Sequence, residues 1–186
     1  MTLKRKTTKE IIYDSFCDLL LTNIYESITI KSICENCDVT RQHFYYYFKD
    51  KQDLTIQFFD DMQYALVDQV CNGEITFDEM AMKSFQMVSN SKKIFLRMMK
   101  YRGQNSLFEY LPKHCRESMM KIVQSNLGED KLSDTTYEEL IFYSYGMCGM
   151  IIDWYIDGLK GSVEEMVQRT VSNIPASARK YFNCSP

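Results

Sequence analysis

Glycine and proline are scarce in this chain, with seven and three residues among 186. That leaves little material for the many tight turns of a β architecture, and an all-α fold is expected. Histidine is scarcer still, present only as His43 and His114. Neither sits in a nucleophile or metal motif, and the chain has no phosphate-cradling glycine loop, no GxSxG and no HExxH. No catalytic residue, metal site or cofactor is therefore expected, and an enzyme is the poor alternative. Asp153 and Asp157, four apart on one helical pattern, come nearest to an acid-base pair and are expected instead to flank a dimer surface or to bond to neighbours. No apolar run reaches the ~18 residues of a membrane span and no secretory leader pattern opens the sequence, so a cytoplasmic location without membrane contact is expected. The seven cysteines, at 17, 34, 37, 71, 115, 148 and 184, are odd in number and lack the spacing of a disulfide framework. They read as reduced thiols acting as small hydrophobes. Cys34 and Cys37 form a CxxC, but no second pair accompanies them, which disfavours structural zinc.

What is present is an ordinary soluble composition, 45% hydrophobic and 25% charged. The net charge of -3 argues at first against a polyanionic partner, so its distribution matters. Residues 1 to 51 hold eight Lys or Arg against seven Asp or Glu, a balance of +1; the remainder holds fourteen against eighteen, a balance of -4. A basic start carries Lys4, Arg5, Lys6 and Lys9.

Apolar spacing predicts a first helix over 8 to 22, with Ile11, Ile12, Phe16, Leu19 and Leu20 inward and Thr7 or Thr8 as its cap. Thr29 caps a short second helix ending near Asn36, and Thr40 caps a third whose inward residues are Phe44 and Phe48. A long fourth helix begins at Lys51 behind Asp50 and runs to about Val70. Further helices are expected over 77 to 89 and 92 to 101, then from Pro112 in a first turn to Asn126, over 136 to 158, and over 163 to 174, with a short tail beyond Pro175. The functional boundary is placed inside the fourth helix, giving domains 1-52 and 53-186.

The stretch from Thr29 to Lys51 carries the chemistry. Two short helices joined through Cys37-Asp38-Val39 suit a helix-turn-helix, whose second helix presents side chains to the major groove. Arg41 matches guanine O6 and N7, Gln42 matches adenine N6 and N7, and Tyr46 suits a base edge. Tyr45, Tyr47 and Lys51 suit phosphates, which fix register. Three consecutive tyrosines point about 100° apart on a helix, so they cannot all be buried.

These residues resemble the N-terminal DNA-binding domain of the tetracycline-repressor (TetR/AcrR) family of bacterial transcription regulators. The resemblance lies in Ile28-Thr29-Ile30, Val39-Thr40-Arg41, Phe44-Tyr45-Tyr46-Tyr47-Phe48 and Lys49-Asp50-Lys51-Gln52-Asp53-Leu54, within about residues 8 to 55. It implies DNA contacts from Thr29, Lys31, Thr40, Arg41, Gln42, His43, Tyr45, Tyr46, Tyr47 and Lys51. Asp38 stands where the family usually has glycine, a mild change because Asp tolerates the left-handed conformation.

The resemblance also implies an α-helical effector-binding and dimerisation domain behind the DNA-reading head. The Gly-Met-Cys-Gly-Met-Ile-Ile-Asp-Trp-Tyr run within 142 to 158 looks like the subgroup of dihydroxyacetone kinase operon regulators. The helices over 136 to 157 and 163 to 174 are too apolar to face water on more than one side; they either form a two-fold dimer interface, as in the family, or complete the monomer's core. Phe95, Met99, Phe108, Met119, Met147 and Trp154 are candidates to line an apolar effector pocket, with Arg97, Arg102 and His114 as polar anchors. The expected function is a homodimeric, ligand-responsive repressor binding double-stranded DNA at a palindromic operator. The alternative is an activator or a protein-partnered adaptor of the same fold without a small-molecule effector.

Overall fold

The computed structural model describes residues 6–128 and 131–184. Lys4 and Arg5 of the basic start lie outside the described residues. The described residues form nine α-helices and no strand: α1 Thr8–Thr22, α2 Ile30–Asn36, α3 Arg41–Tyr47, α4 Lys51–Cys71, α5 Phe77–Asn90, α6 Lys92–Lys100, α7 Leu107–Leu127, α8 Asp134–Ile156 and α9 Val163–Ser172. None is long and apolar enough to cross a membrane. The chain divides into two compact units: one runs through Phe59 and takes in Lys93–Glu109, the other comprises Asp60–Lys92 and the chain from Tyr110.

In the first unit, local capping sets where the helices begin. The Thr7 hydroxyl accepts from Glu10 N–H while the Glu10 carboxylate accepts from Thr7 N–H, and Thr29 and Ser32 repeat the arrangement at α2. Ile12, Phe16, Leu20, Ile33 and Phe44 are buried together with Phe48, Leu54 and Tyr25. The buried Ser15 ties α1 to α2: its hydroxyl donates to Ile33 O at 2.8 Å and accepts from Asn36 Nδ2 at 3.1 Å. The turn to α3 closes with Val39 N–H on Cys34 O at 3.1 Å and Asp38 at φ 53°, a left-handed helix terminus that glycine usually occupies. Cys37 folds back at this turn, its thiol donating to Ile33 O at 3.1 Å.

The stretch Lys93–Glu109 joins this unit by contacts invisible to periodicity. Arg97 Nη1 donates to Leu20 O at 2.5 Å and Asn23 O at 2.6 Å, closing the end of α1. The Tyr101 ring stacks on Tyr25 at 4.8 Å, and its hydroxyl accepts from Gln52 Nε2 at 3.3 Å. Compactness thus divides the chain differently from the boundary expected at residue 52.

In the second unit α5 packs along α9. Phe77, Phe85, Val88, Met119, Ile122, Leu140, Met166 and Trp154 are buried there. Tyr143 donates to Thr170 O at 2.7 Å, linking α8 to α9. One expectation needs correction. Pro112 lies inside α7, five residues beyond its first residue, not in a first turn. A local cap marks the earlier start: Glu109 N–H is held by Ser106 Oγ at 3.3 Å and Asn105 N–H by the Glu109 carboxylate at 2.9 Å. The short tail after Pro175 packs back on the unit, a feature the spacing does not show: Tyr181, in a 3-10 turn over Arg179–Tyr181, and Phe182 are buried, Phe182 meets the Phe77 ring at 4.9 Å, and Phe77 N–H donates to Asn183 O.

Candidate nucleic-acid interface

Helix α3 is two-sided because the five residues from Phe44 to its C-cap Phe48 are all aromatic and only some can face inward. Phe44 and Phe48 are 0% and 1% exposed, with ring centroids 5.4 Å apart. Burying those two anchors fixes the rotation of the helix and turns Gln42, Tyr45 and Tyr46 outward at i, i+3 and i+4. Tyr46 is 80% exposed and Tyr45 56%. Tyr47 is half-buried and meets Tyr46 edge-on at 4.9 Å, bracing it. Arg41, Gln42 and His43 occupy the exposed first turn, and the Thr40 hydroxyl caps that turn by accepting from His43 N–H at 3.2 Å. Thr40 and Thr29 are thus engaged as helix caps, and both remain on the exposed side of the head. Lys31 is exposed on α2, 3.7 Å from Glu35. Lys49, which sequence spacing did not single out, stands exposed immediately past α3.

Lys51 is placed differently from the expectation of a free phosphate contact. Its ammonium donates to Tyr25 O and Ile28 O, both at 2.7 Å, and lies 4.3 Å from the Tyr25 ring centroid. Burial lowers its pKa, the direction expected when an ammonium leaves water. Burial likewise pushes the Tyr25 phenol up to about 12, while its hydroxyl is hydrogen-bonded to Thr55 at 3.0 Å. Lys51 therefore fastens the turn before α2 to the start of α4. Lys51→Met, which keeps the apolar stem, is expected to lower stability by about 1–3 kcal/mol in urea unfolding, since Ile28 O loses its charged donor. The same variant is expected to leave the salt dependence of DNA affinity unchanged, whereas loss of a phosphate contact would reduce that slope by about one.

The six pocket candidates do not fall within one unit: Phe95, Met99 and Phe108 belong to the first, and Met119, Met147 and Trp154 to the second. Phe95 and Met99 are buried, Phe95 against Phe59 at 6.5 Å. Phe108 lies under the Arg102 guanidinium at 3.6 Å. The proposed polar anchors already have internal partners. Arg97 closes α1, and Arg102 donates to Met99 O. His114 Nδ1 is 2.8 Å from Asp60 Oδ1, its Nε2 is 3.3 Å from Ser118 Oγ, and Tyr110 donates to the other Asp60 oxygen at 2.6 Å.

Helix α8 leaves one apolar stripe uncovered. Phe142 is 83% exposed, Ile156 62% and Tyr145 55%, and Gly146 and Gly149 lie on the same face. A Cβ added at either glycine would meet nothing within 4 Å. Beside this stripe runs a groove of about 740 Å³, lined by Glu138, Glu139, Phe142, Met147 and Met150 of α8 and by the chain from Pro175 to Ser177. Met147 is the one pocket candidate that lines it.

Residues 19–57 match a family model described as bacterial regulatory proteins, tetR family, and residues 76–175 match one described as a transcriptional regulator C-terminal region. No curated protein matches the chain by sequence. A solved structure described as the dihydroxyacetone kinase operon activator DhaS shares the fold, with a TM-score of 0.69 at 17% identity over 95% of this chain and 98% of that one.

Proposed function

Because the chain belongs to the TetR family of transcriptional regulators, with a DNA-binding region at its N-terminal end, we propose that it acts in the cytoplasm as a homodimer that binds a palindromic operator and is released by a small-molecule effector. The observation that carries the DNA reading is the outward stripe on α3, where Arg41, Gln42, Tyr45 and Tyr46 stand exposed over a core of Phe44 and Phe48. Arg41, Gln42, His43 and Tyr46 are assigned to base edges, and Thr29, Lys31, Thr40, Tyr45 and Tyr47 to the phosphate backbone. Residues 1-52 form the reading domain and 53-186 the effector and dimer domain.

The uncovered α8 face supports a two-fold dimer, which would set two α3 helices about one DNA turn apart, ~34–36 Å. An effector then acts by population shift, binding better to the dimer conformation whose α3 spacing misfits the operator. The name of the similar fold, an operon activator, favours a second reading in which the DNA-bound dimer activates. A gel shift against the DNA upstream of the protein's own gene, repeated at rising salt, tests the core of the proposal: a shift that weakens steeply with salt supports it. Absence of a shift at low salt with that DNA and neighbouring promoters leaves the protein-partnered adaptor in its place. A reporter gene behind a bound site separates repression from activation.

A further inference from the structure

Cys34 and Cys37 form a CxxC at the end of α2, and the DNA contacts proposed above make no use of it. Cys34 is 5% exposed, and Cys37, the C-cap of the helix, is half-buried. The Cys37 thiol folds back over the last helical turn, 3.1 Å from Ile33 O and 3.8 Å from Cys34 O. Residues three apart on a helix are surface neighbours, so the two thiols share one side of α2. They also bound the turn that aims α3: Cys34 O accepts from Val39 N–H at 3.1 Å, and Asp38, directly after Cys37, holds the left-handed φ of 53°.

A hollow of about 300 Å³ opens at this turn, with Cys34, Asp38 and Arg41 among its lining residues. A water molecule occupies about 30 Å³ of liquid, so a small peroxide fits. Burial pushes the Cys34 thiol up and the Cys37 thiol adds to the shift, while Arg41 works the other way. Cys37, the more exposed of the two, is therefore the thiol that an oxidant meets first. Among the described residues no group of three or more His, Cys, Asp or Glu is placed to hold a metal ion, and structural zinc takes four ligands. The chemistry left to the pair is that of a dithiol.

We propose that Cys34 and Cys37 are an oxidation site, in which a peroxide converts the dithiol to a disulfide and the disulfide releases the operator. The Cys37 thiolate attacks one peroxide oxygen; the O–O bond breaks, Cys37 becomes a sulfenic acid, and the other oxygen leaves as water or an alcohol with the Cys37 proton. The Cys34 thiolate then attacks the Cys37 sulfur and expels hydroxide, which takes up the Cys34 proton as water. The two thiols lose two electrons and the peroxide gains them. Cβ atoms three residues apart on a helix stand about 5–6 Å from each other, and a disulfide holds them at about 3.5–4.5 Å, so closure draws the end of α2 inward by roughly 1 Å. That displacement falls at the contact between Cys34 O and Val39 N–H and so re-aims α3. Strain of this kind keeps the bond reducible, which suits a reversible signal. The loss of operator affinity rests on the DNA-binding reading above; the oxidation itself does not.

To test this, the full-length reduced protein is treated with hydrogen peroxide, alkylated with iodoacetamide and cleaved with trypsin, which releases residues 32–41 with both cysteines in one peptide. That peptide is expected to be two hydrogens lighter and closed to alkylation, and to regain both thiols with dithiothreitol. Operator affinity is expected to fall about tenfold or more on oxidation, the worth of one misplaced base contact, and to recover on reduction. Cys37→Ser, whose hydroxyl can still donate to Ile33 O, is expected to bind operator as the parent does and to ignore peroxide. Peptide mapping of the parent protein stands even if that variant folds poorly. A peptide still open to alkylation at both cysteines overturns the proposal, as does a stable sulfinic acid at Cys37 or a disulfide that instead joins the buried Cys115 and Cys148. A disulfide between Cys34 and Cys37 that leaves operator affinity unchanged overturns the release and keeps the oxidation site. A reduced protein that shifts no DNA removes the DNA reading, and the peptide mass alone then decides the oxidation site.

Discussion

Phe142→Glu is expected to convert the proposed dimer to a monomer in sedimentation velocity and to weaken operator binding by about 10²-fold or more, the avidity lost when two linked reading heads become one. The side chain is 83% exposed within its own chain, so the fold has no stake in it, and the circular dichroism spectrum and melting midpoint should stay close to those of the parent. A second substitution on the same stripe separates the dimer reading from a general surface effect. Gly149→Ala adds a Cβ that meets nothing within 4 Å inside the chain. It should stabilise the helix by about 0.5–1 kcal/mol, because glycine is a poor helix former. If a partner helix closes against that glycine, the same methyl weakens the dimer. Higher helix stability with weaker association is the expected pair of results. A parent protein that sediments as a monomer at all concentrations would sink the dimer proposal.

Arg41→Ala is expected to weaken operator binding about 5- to 150-fold and to relax the preference for guanine at one position of each half-site, as the loss of one bidentate base contact does. The residue is exposed, so unfolding curves should be unchanged. Titration at several salt concentrations tells base reading from phosphate contact: a base contact leaves the salt slope nearly intact, and a phosphate contact lowers it by about one. Uniform weakening on all DNA with a lower slope would move Arg41 from reading to positioning. Tyr46→Ala makes a useful companion, because at 80% exposure its removal leaves the Phe44 and Phe48 packing alone.

Much of the reading head was legible because its decisive interactions are short-range. Thr7, Thr29 and Thr40 each cap a helix through a backbone N–H three residues on. The apolar spacing of Ile12, Phe16 and Leu20, and of Phe44 and Phe48, follows from the 3.6-residue turn alone. Asp38 was readable as the tight turn because few residues other than glycine accept its left-handed backbone. Ser106 and Glu109 carried a similar local signal, overlooked because Pro112 offered a more familiar helix start.

The sequence by itself determined the all-helical class, the ends of the first helices and which two aromatic residues of α3 turn inward, since all three depend on neighbours within about one helical turn. Tertiary structure decided what the long side chains do. Lys51 reaches back 26 residues to Tyr25 O, and Arg97 reaches 77 residues to Leu20 O, so a lysine suited to phosphate and an arginine suited to a ligand both became fasteners of the head. Flexible cations take whichever carbonyls the fold leaves unpaired, and periodicity records only which face a residue occupies, not what its far end will meet.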